Sequence, residues 1–321
     1  MAHLSDVLLQ VAIVVYLAAM TGYLVEYAFG TRGAVARVAT RRELVAVGVP
    51  SVAEESGPVS PAPPVSLPGR SGVAGAIAVA LTVLGLGVHI GVLVTRGLAA
   101  GRVPWGNMYE FVVTLTAIFA VGWLVLLVRR PALRPLGVFV TAALAVLLGF
   151  AGLVLLTPAG PLVPALNSYW LKIHVTAAAT ASGLLLLGFI PAALFLIRAG
   201  YDAGKRRFPY PIGRNLPAAD TLERLTFRLH TFAFPIWTLA VICGAIWAEA
   251  AWGRYWGWDP KETWSFISWV AYAAYLHARA TPSVKKTTAT WFAVAAWGTM
   301  LINLYVINFV AVGLHSYAGV D

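Results

Sequence analysis

Trp252-Gly253-Arg254-Tyr255-Trp256-Gly257-Trp258-Asp259-Pro260-Lys261-Glu262-Thr263-Trp264 lies between two long apolar runs, and its reading decides how the rest of the chain is arranged. Gly253, Gly257 and Pro260 break any helix here, so the segment is a shaped loop with flat aromatic faces. Arg254, Asp259, Lys261 and Glu262 lie between those faces. Because the flanking runs are long enough to cross a bilayer, the loop sits at a membrane surface. An aromatic belt would spread tryptophan over many helix ends and both leaflets. Here half of the chain's 12 tryptophans fall between Trp247 and Trp269, which is the pattern of a binding surface.

Composition agrees with a membrane chain. Hydrophobic residues make up 60% of the 321 positions and charged ones 11%, with a mean hydropathy of +0.78, which excludes a soluble globular protein. The one cysteine, Cys243, lies in an apolar run, so no internal disulfide forms. The chain has no CxxCH motif and attaches no c-type haem to itself. Its N-terminus (His3, Asp6) lacks a basic leader and the first apolar run is too long for a signal peptide, so that run is expected to stay as an anchor.

Spanning segments of about 20 apolar residues are expected near 5–29, 72–95, 106–128, 133–157, 172–198, 229–250, 263–280 and 287–313. The fold class is therefore all-α: a polytopic integral membrane protein of about eight transmembrane helices, both termini on one side. Of the 23 basic residues, only Arg96, Arg102, Lys172, Arg254 and Lys261 lie outside if both termini are extracytoplasmic. The positive-inside rule thus fixes that orientation, and explains the net charge of +10 without nucleic acid. Residues 1–71 read as a first helix and a cytoplasmic linker, flexible and Pro-rich over 50–69. Residues 72–321 read as the working domain. The loop from Gly200 to Ala219 reads as mobile and cytoplasmic, and Gly85, Gly87 and Gly91 as a close helix contact. No internal repeat is visible.

In this orientation His174 starts the fifth span and His315 ends the eighth, both at the height of the Trp loop. Histidine is the commonest metal ligand near neutral pH, and two opposed imidazoles are a usual way to hold haem iron. A flat aromatic loop between them suits a porphyrin edge. His277 lies roughly 21 Å below Thr263 along its helix, and an ionisable residue at that depth is a functional candidate. By the same measure His89 lies about 10 Å deep and His230 about 30 Å. Neither matches His277, which points to an imidazole from another polypeptide.

The segment WGRYWGWDPKETW resembles the tryptophan-rich "WWD" signature shared by CcmC, CcmF and CcsA (ResC), the haem-handling membrane proteins of cytochrome c maturation. Eight spans, 321 residues and histidines at 174, 277 and 315 are similar to the CcsA type. CcmF is much longer, and CcmC lacks two spans and the His277 equivalent. The match covers roughly 75–318, and Pro104-Trp105-Gly106-Asn107-Met108-Tyr109-Glu110 also resembles a family segment, without a role assigned to its residues. The resemblance implies an external haem b with bis-His iron on His174 and His315. The WWD loop (Trp252, Gly253, Tyr255, Trp256, Trp258, Asp259, Pro260, Lys261, Glu262 and Trp264) would grip the ring. A second haem within the membrane would be held by His277. It implies as partners a ResB/CcsB-like membrane protein, thiol-reducing proteins and an apocytochrome c carrying CxxCH. The location it implies is the bacterial plasma membrane, with the working site outside.

The expected function is that of a System II haem translocator and haem-lyase subunit. Haem comes from the cytoplasm near His277, moves to the Trp loop, and is presented there to the two client thiols, largely by positioning. No side chain is singled out as an acid–base catalyst; Asp259, Lys261 and Glu262 either meet propionates or shape the loop. The client histidine is expected to displace one of the two external imidazoles. A haem exporter without lyase activity is the first alternative. A b-type electron-transfer cytochrome is the second, disfavoured because it needs paired histidines at matched depth.

Overall fold

A computed structural model describes residues 1–30, 70–161, 166–311 and 313–315. The Pro-rich linker at 50–69 lies outside the described residues. Among those described the chain is all helical. The helices are α1 (Ala2–Phe29), α2 (Arg70–Ala100), α3 (Met108–Arg129), α4 (Gly137–Val154, after a 3-10 turn Pro131–Leu136), α5 (Tyr169–Asp202) and α6 (Ala219–Trp252). They are followed by α7 (Pro260–Ala280) and α8 (Lys286–Leu301), the latter continued by a π turn, Ile302–Val306, and a last short helix α9, Ile307–Val310.

Seven of these segments are long and apolar enough to cross a membrane; the run expected at 263–280 forms α7 but does not reach the same apolarity. Its ends carry Lys261, Glu262, His277 and Arg279. α7 nevertheless packs along much of its longer neighbour α6. Its first turn meets the chain just beyond α6, while Arg279 in its last turn pairs with Glu223 near the start of α6. At about 1.5 Å per residue, 21 residues give roughly 31 Å, one hydrocarbon thickness.

The packing follows from residue spacing. On α1 the buried positions are Ser5, Leu9, Ala12, Tyr16, Ala19, Tyr23 and Glu26, an unbroken alternation of four and three. On α2, positions 75, 78, 82, 85, 89, 92 and 96 repeat it, so the two helices pair along a 3.5-residue seam. In lipid, apolar burial gives no drive toward another helix, so close approach and polar pairs must hold the bundle. A Cβ on Gly85 would stand 2.9 Å from the Tyr16 ring, and one on Gly91 3.4 Å from Leu8. Gly87 faces open space instead, so two of the three glycines make the expected contact. Glu26 on α1 takes the Arg134 guanidinium, and Tyr27 donates its hydroxyl to the Ile212 carbonyl at 2.6 Å.

That last bond corrects the expectation of a mobile 200–219 loop. Tyr210–Asn215 is a 3-10 turn whose Gly213 is buried. Arg198 Nη1 donates to the Leu216 carbonyl at 2.7 Å, and Asn215 Nδ2 to the Tyr27 carbonyl at 3.2 Å. Its Pro and Gly content reads as linker-like. The same residues also permit a tight turn laid on α5 and α1, and its aromatic residues supply the contacts.

Candidate functional site

Four chain ends converge at one end of the bundle: the start of α5, the end of α6, the start of α7 and the stretch after α9. α6 stops at Gly253 in the left-handed region (φ 71), whose N–H bonds the Glu249 carbonyl at 2.8 Å. Trp258 is also left-handed (φ 58), a conformation that costs a non-glycine residue about 1–3 kcal/mol and clusters at binding sites. Glu262 over-determines the turn, its Oε2 accepting the Gly257 N–H at 2.8 Å and the Asp259 N–H at 3.1 Å. Asp259 caps α7 reciprocally, with Pro260 at the first helical position. Glu262 and Asp259 thus both shape the loop, and Glu262 also lines a cavity. Outside them Trp256, Trp258 and Phe266 meet edge to face, and Phe266 stacks on Trp269.

The carboxylate of Asp259 also reaches the last described segment. Its Oδ1 accepts His315 Nδ1–H at 2.9 Å and its Oδ2 the Leu314 N–H at 2.7 Å. Burial alone would raise this carboxyl; the hydrogen bonds from His315, Leu314 and Lys261 outweigh it and hold the group at about 2. His174 is fixed differently. Its Nδ1 donates to the Ala240 carbonyl at 2.8 Å, and a carbonyl can only accept, so Nε2 keeps its lone pair. Its ring stacks on Trp247 at 5.9 Å and 13°. A Cβ on Gly244 would come within 2.8 Å of the same ring. His315 also meets this cluster, 5.8 Å from Trp247 and 5.0 Å from Trp252.

Two cavities border the histidine pair. One of about 720 Å³ is lined by His174, His315, Tyr255, Trp256, Lys261 and Glu262 together with helix residues from α5, α6 and the π turn. The other, about 600 Å³, has Trp105, Met108, Leu166 and Leu171 as its further walls and shares His174, His315, Trp247 and Lys261 with the first. Lys261, which lines both cavities, donates from Nζ to Asn308 Oδ1 at 2.6 Å and lies 3.8 Å from Met108 Sδ. Ser182 Oγ, Trp237 Nε1 and Asn303 Oδ1 line the first cavity, buried and without a hydrogen-bond partner, as polar atoms do where a ligand or water completes them.

Not every predicted position lines a cavity. Trp252 packs on Trp247, Trp258 is 65% exposed, and Gly253 and Trp264 line neither space. His277 is exposed near the far end of α7. His89 is consumed structurally, its Nε2 2.9 Å from the Val113 carbonyl and Nδ1 3.4 Å from the Tyr16 hydroxyl. His230 corrects the depth estimate. It packs on Tyr272 and Tyr275, within about a turn of His277, because the two depths are counted from different helix ends, the end of α6 and the start of α7, which do not lie level. It is buried on the face of α7 opposite His277, so level does not make them a pair.

Phe111, Ser182, Trp237 and Asn303 complete the site and escaped the sequence reading, while Trp247 had entered it only as the edge of the tryptophan cluster. Ser182 carried a signal, being eight residues from His174 and so on its helical face. Asn303 depends on the π turn, a deformation common at functional sites.

The profile of the family described as cytochrome c assembly protein matches residues 105–315. Among curated proteins, the chain is 34% identical over 244 residues to the cytochrome c biogenesis protein CcsA of Guillardia theta, covering 70% of this chain and 80% of that one. It is 33% identical over 283 residues to that of Gloeobacter violaceus, covering 71% and 82%. A solved structure named cytochrome c heme lyase CcmF superposes with a TM-score of 0.58 at 16% identity, over 95% of this chain and 46% of that one. That likeness concerns the fold, and this chain spans about half the CcmF length.

Proposed function

Because this chain belongs to the cytochrome c assembly protein family, is of the CcsA type and takes part in cytochrome c maturation, we propose that it carries haem to the Trp-loop end of the bundle. There it would present the ring for thioether attachment to an apocytochrome CxxCH segment. The observation that carries this reading is the pair His174 and His315, each anchored through Nδ1, each in contact with Trp247 and both bordering the same two cavities. The donor set fits: two imidazoles for the iron, Lys261 for a propionate and aromatic walls for the ring. Haem supplies the vinyl groups on which the client thiols add. His174 and His315 orient the iron, Tyr255 and Trp256 confine one edge, and Lys261 holds a carboxylate. No side chain is required to move a proton, and positioning two reactants accounts for the rate.

The protein would sit in the bacterial plasma membrane with this end outside. Four of the five basic residues on that side are engaged rather than free: Arg96 and Arg102 by Glu110, Arg254 by Glu262, Lys261 by Asn308. This favours the positive-inside orientation. Labelling from outside should reach a cysteine at Tyr255 and miss one at Ser60; the reverse pattern reverses the route. The site itself is tested by spectra of the protein purified with a ResB-like partner. Wild type should show low-spin bis-imidazole haem, and His174→Ala and His315→Ala should each lose that signal and maturation together. Normal maturation in both variants rejects the reading.

A further inference from the structure

We infer that the end of the bundle opposite the Trp loop carries a site for an anionic phospholipid, with its phosphate on Lys205 and an acyl chain in the cleft between α5 and α8. The site is separate from the haem reading and needs only that the chain spans a membrane.

The cleft begins at a helix stop. α5 ends through Gly204 in the left-handed region (φ 87), and the Lys205 N–H returns to the Gly200 carbonyl at 3.0 Å. The chain then folds back until Tyr210 lies against the backbone of Gly200, where any Cβ would overlap its ring. Lys205 stands over that ring, its Nζ 4.8 Å from the centre and 3.3 Å from the hydroxyl. Beneath this roof α5 and the start of α8 part to leave a cleft of about 540 Å³, within the roughly 300–1,000 Å³ of ligand-binding clefts.

Its lining changes from rim to floor. Lys205 and Thr287 stand at the helix ends, and Leu196, Ala193 and Trp291 follow inward. Phe189, stacked on Trp297 at 5.9 Å, closes the floor. Gly200 and Phe189 both border the cleft and lie 11 positions apart on α5, about 16 Å along its axis. The space therefore runs from headgroup level into the hydrocarbon, the direction an acyl chain takes.

Charge selects the headgroup. The Lys205 ammonium has a tyrosine as its partner, not a carboxylate, and Arg206 beside it donates to the Tyr201 and Lys205 carbonyls. The acids on this side are taken, Asp202 by Arg198 and Asp220 by Lys286. Basic pockets between spanning helices on the cytoplasmic side suit anionic headgroups. The walls favour a lipid over a soluble anion, since Trp291 is 61% exposed and tryptophan prefers the headgroup boundary. Haem suits the cleft less well, because no histidine, cysteine or methionine is among the described residues that line it.

The test is native mass spectrometry of the full chain in detergent, with phosphatidylglycerol or phosphatidylcholine of the same acyl chains added. Wild type should keep one phosphatidylglycerol with about a fivefold preference over phosphatidylcholine, the effect of one basic side chain at a membrane surface. Lys205→Ala should lose that preference. Arg129→Ala, an exposed basic position ending α3 at the same end of the bundle, should keep it. Ala193→Trp fills the cleft and should retain neither lipid, and inorganic phosphate should not displace the lipid from wild type. The inference is overturned by a wild type without preference, by an unchanged preference in Lys205→Ala, or by equal losses in Lys205→Ala and Arg129→Ala. Displacement by phosphate, lipid retained by Ala193→Trp, or haem or a second copy found in the cleft overturns it too. If Ala193→Trp does not fold, Lys205→Ala, altered only at the exposed rim, decides alone.

Discussion

Glu110→Ala is expected to cost the fold about 3–5 kcal/mol, the usual effect of removing one partner from a buried ion pair. Glu110 has no exposed side-chain surface and holds two guanidinium groups, Arg96 Nε at 3.1 Å and Arg102 Nη1 at 2.8 Å. It also accepts the Gly106 N–H at 2.7 Å. Arg96, at the end of α2 and only 3% exposed, additionally reaches the Thr157 carbonyl, and Arg102 the Gly160 carbonyl at 3.1 Å. One carboxylate thus ties the α2–α3 connection to the segment after α4 and fixes the wall from which Trp105 and Met108 face the second cavity. Without it a guanidinium is left in a nearly dry place. Unfolding of the detergent-solubilised variant by heat or denaturant measures the loss. Glu110→Gln should lie between, since it keeps hydrogen bonds and drops the charge. A loss below about 1 kcal/mol would show that the carbonyls alone satisfy Arg96.

That cluster shows where sequence reading stops. The helices were legible because apolar runs of bilayer length have one structural outcome, and the Trp loop because Gly, Pro and Trp crowd together against that background. His174 and His315 were legible as a pair because topology counts spans and so puts residues 141 apart at one level. The partners of Arg96, Arg102 and Arg254 were not, because pairing depends on how helix ends are rotated and not on spacing along one chain. Asp259 and Glu262 stayed ambiguous between ligand contact and loop shaping for the same reason. Only the position of their oxygens against Gly257 N–H, Leu314 N–H and His315 separates the two. His230 was misplaced in depth because its level was counted from the end of α6 and that of His277 from the start of α7, and sequence does not say that these two helix ends are not level.

His277→Ala is expected to empty both haem positions, whereas His174→Ala should leave the inner one loaded. His277 sits roughly 21 Å along α7 from Thr263, too far to share an iron with His174 or His315. Its ring is exposed on the side of the helix away from His230, Tyr272 and Tyr275. An exposed histidine on a helix within lipid is costly unless something completes it. Buried His230 and His89 face elsewhere, and on the proposed reading the completing group would come from a second membrane protein. Co-expression with a ResB-like partner should therefore raise the haem bound at this level several-fold over the chain alone. Supply to the Trp-loop end would pass through this point, which is why loss of His277 should starve the outer site while loss of His174 spares the inner one. Haem content and spectra of the two variants, each purified with the partner, give the order directly. A His277→Ala protein whose outer site is fully loaded would mean that haem reaches the Trp loop from outside, and the route through the membrane would fall with it.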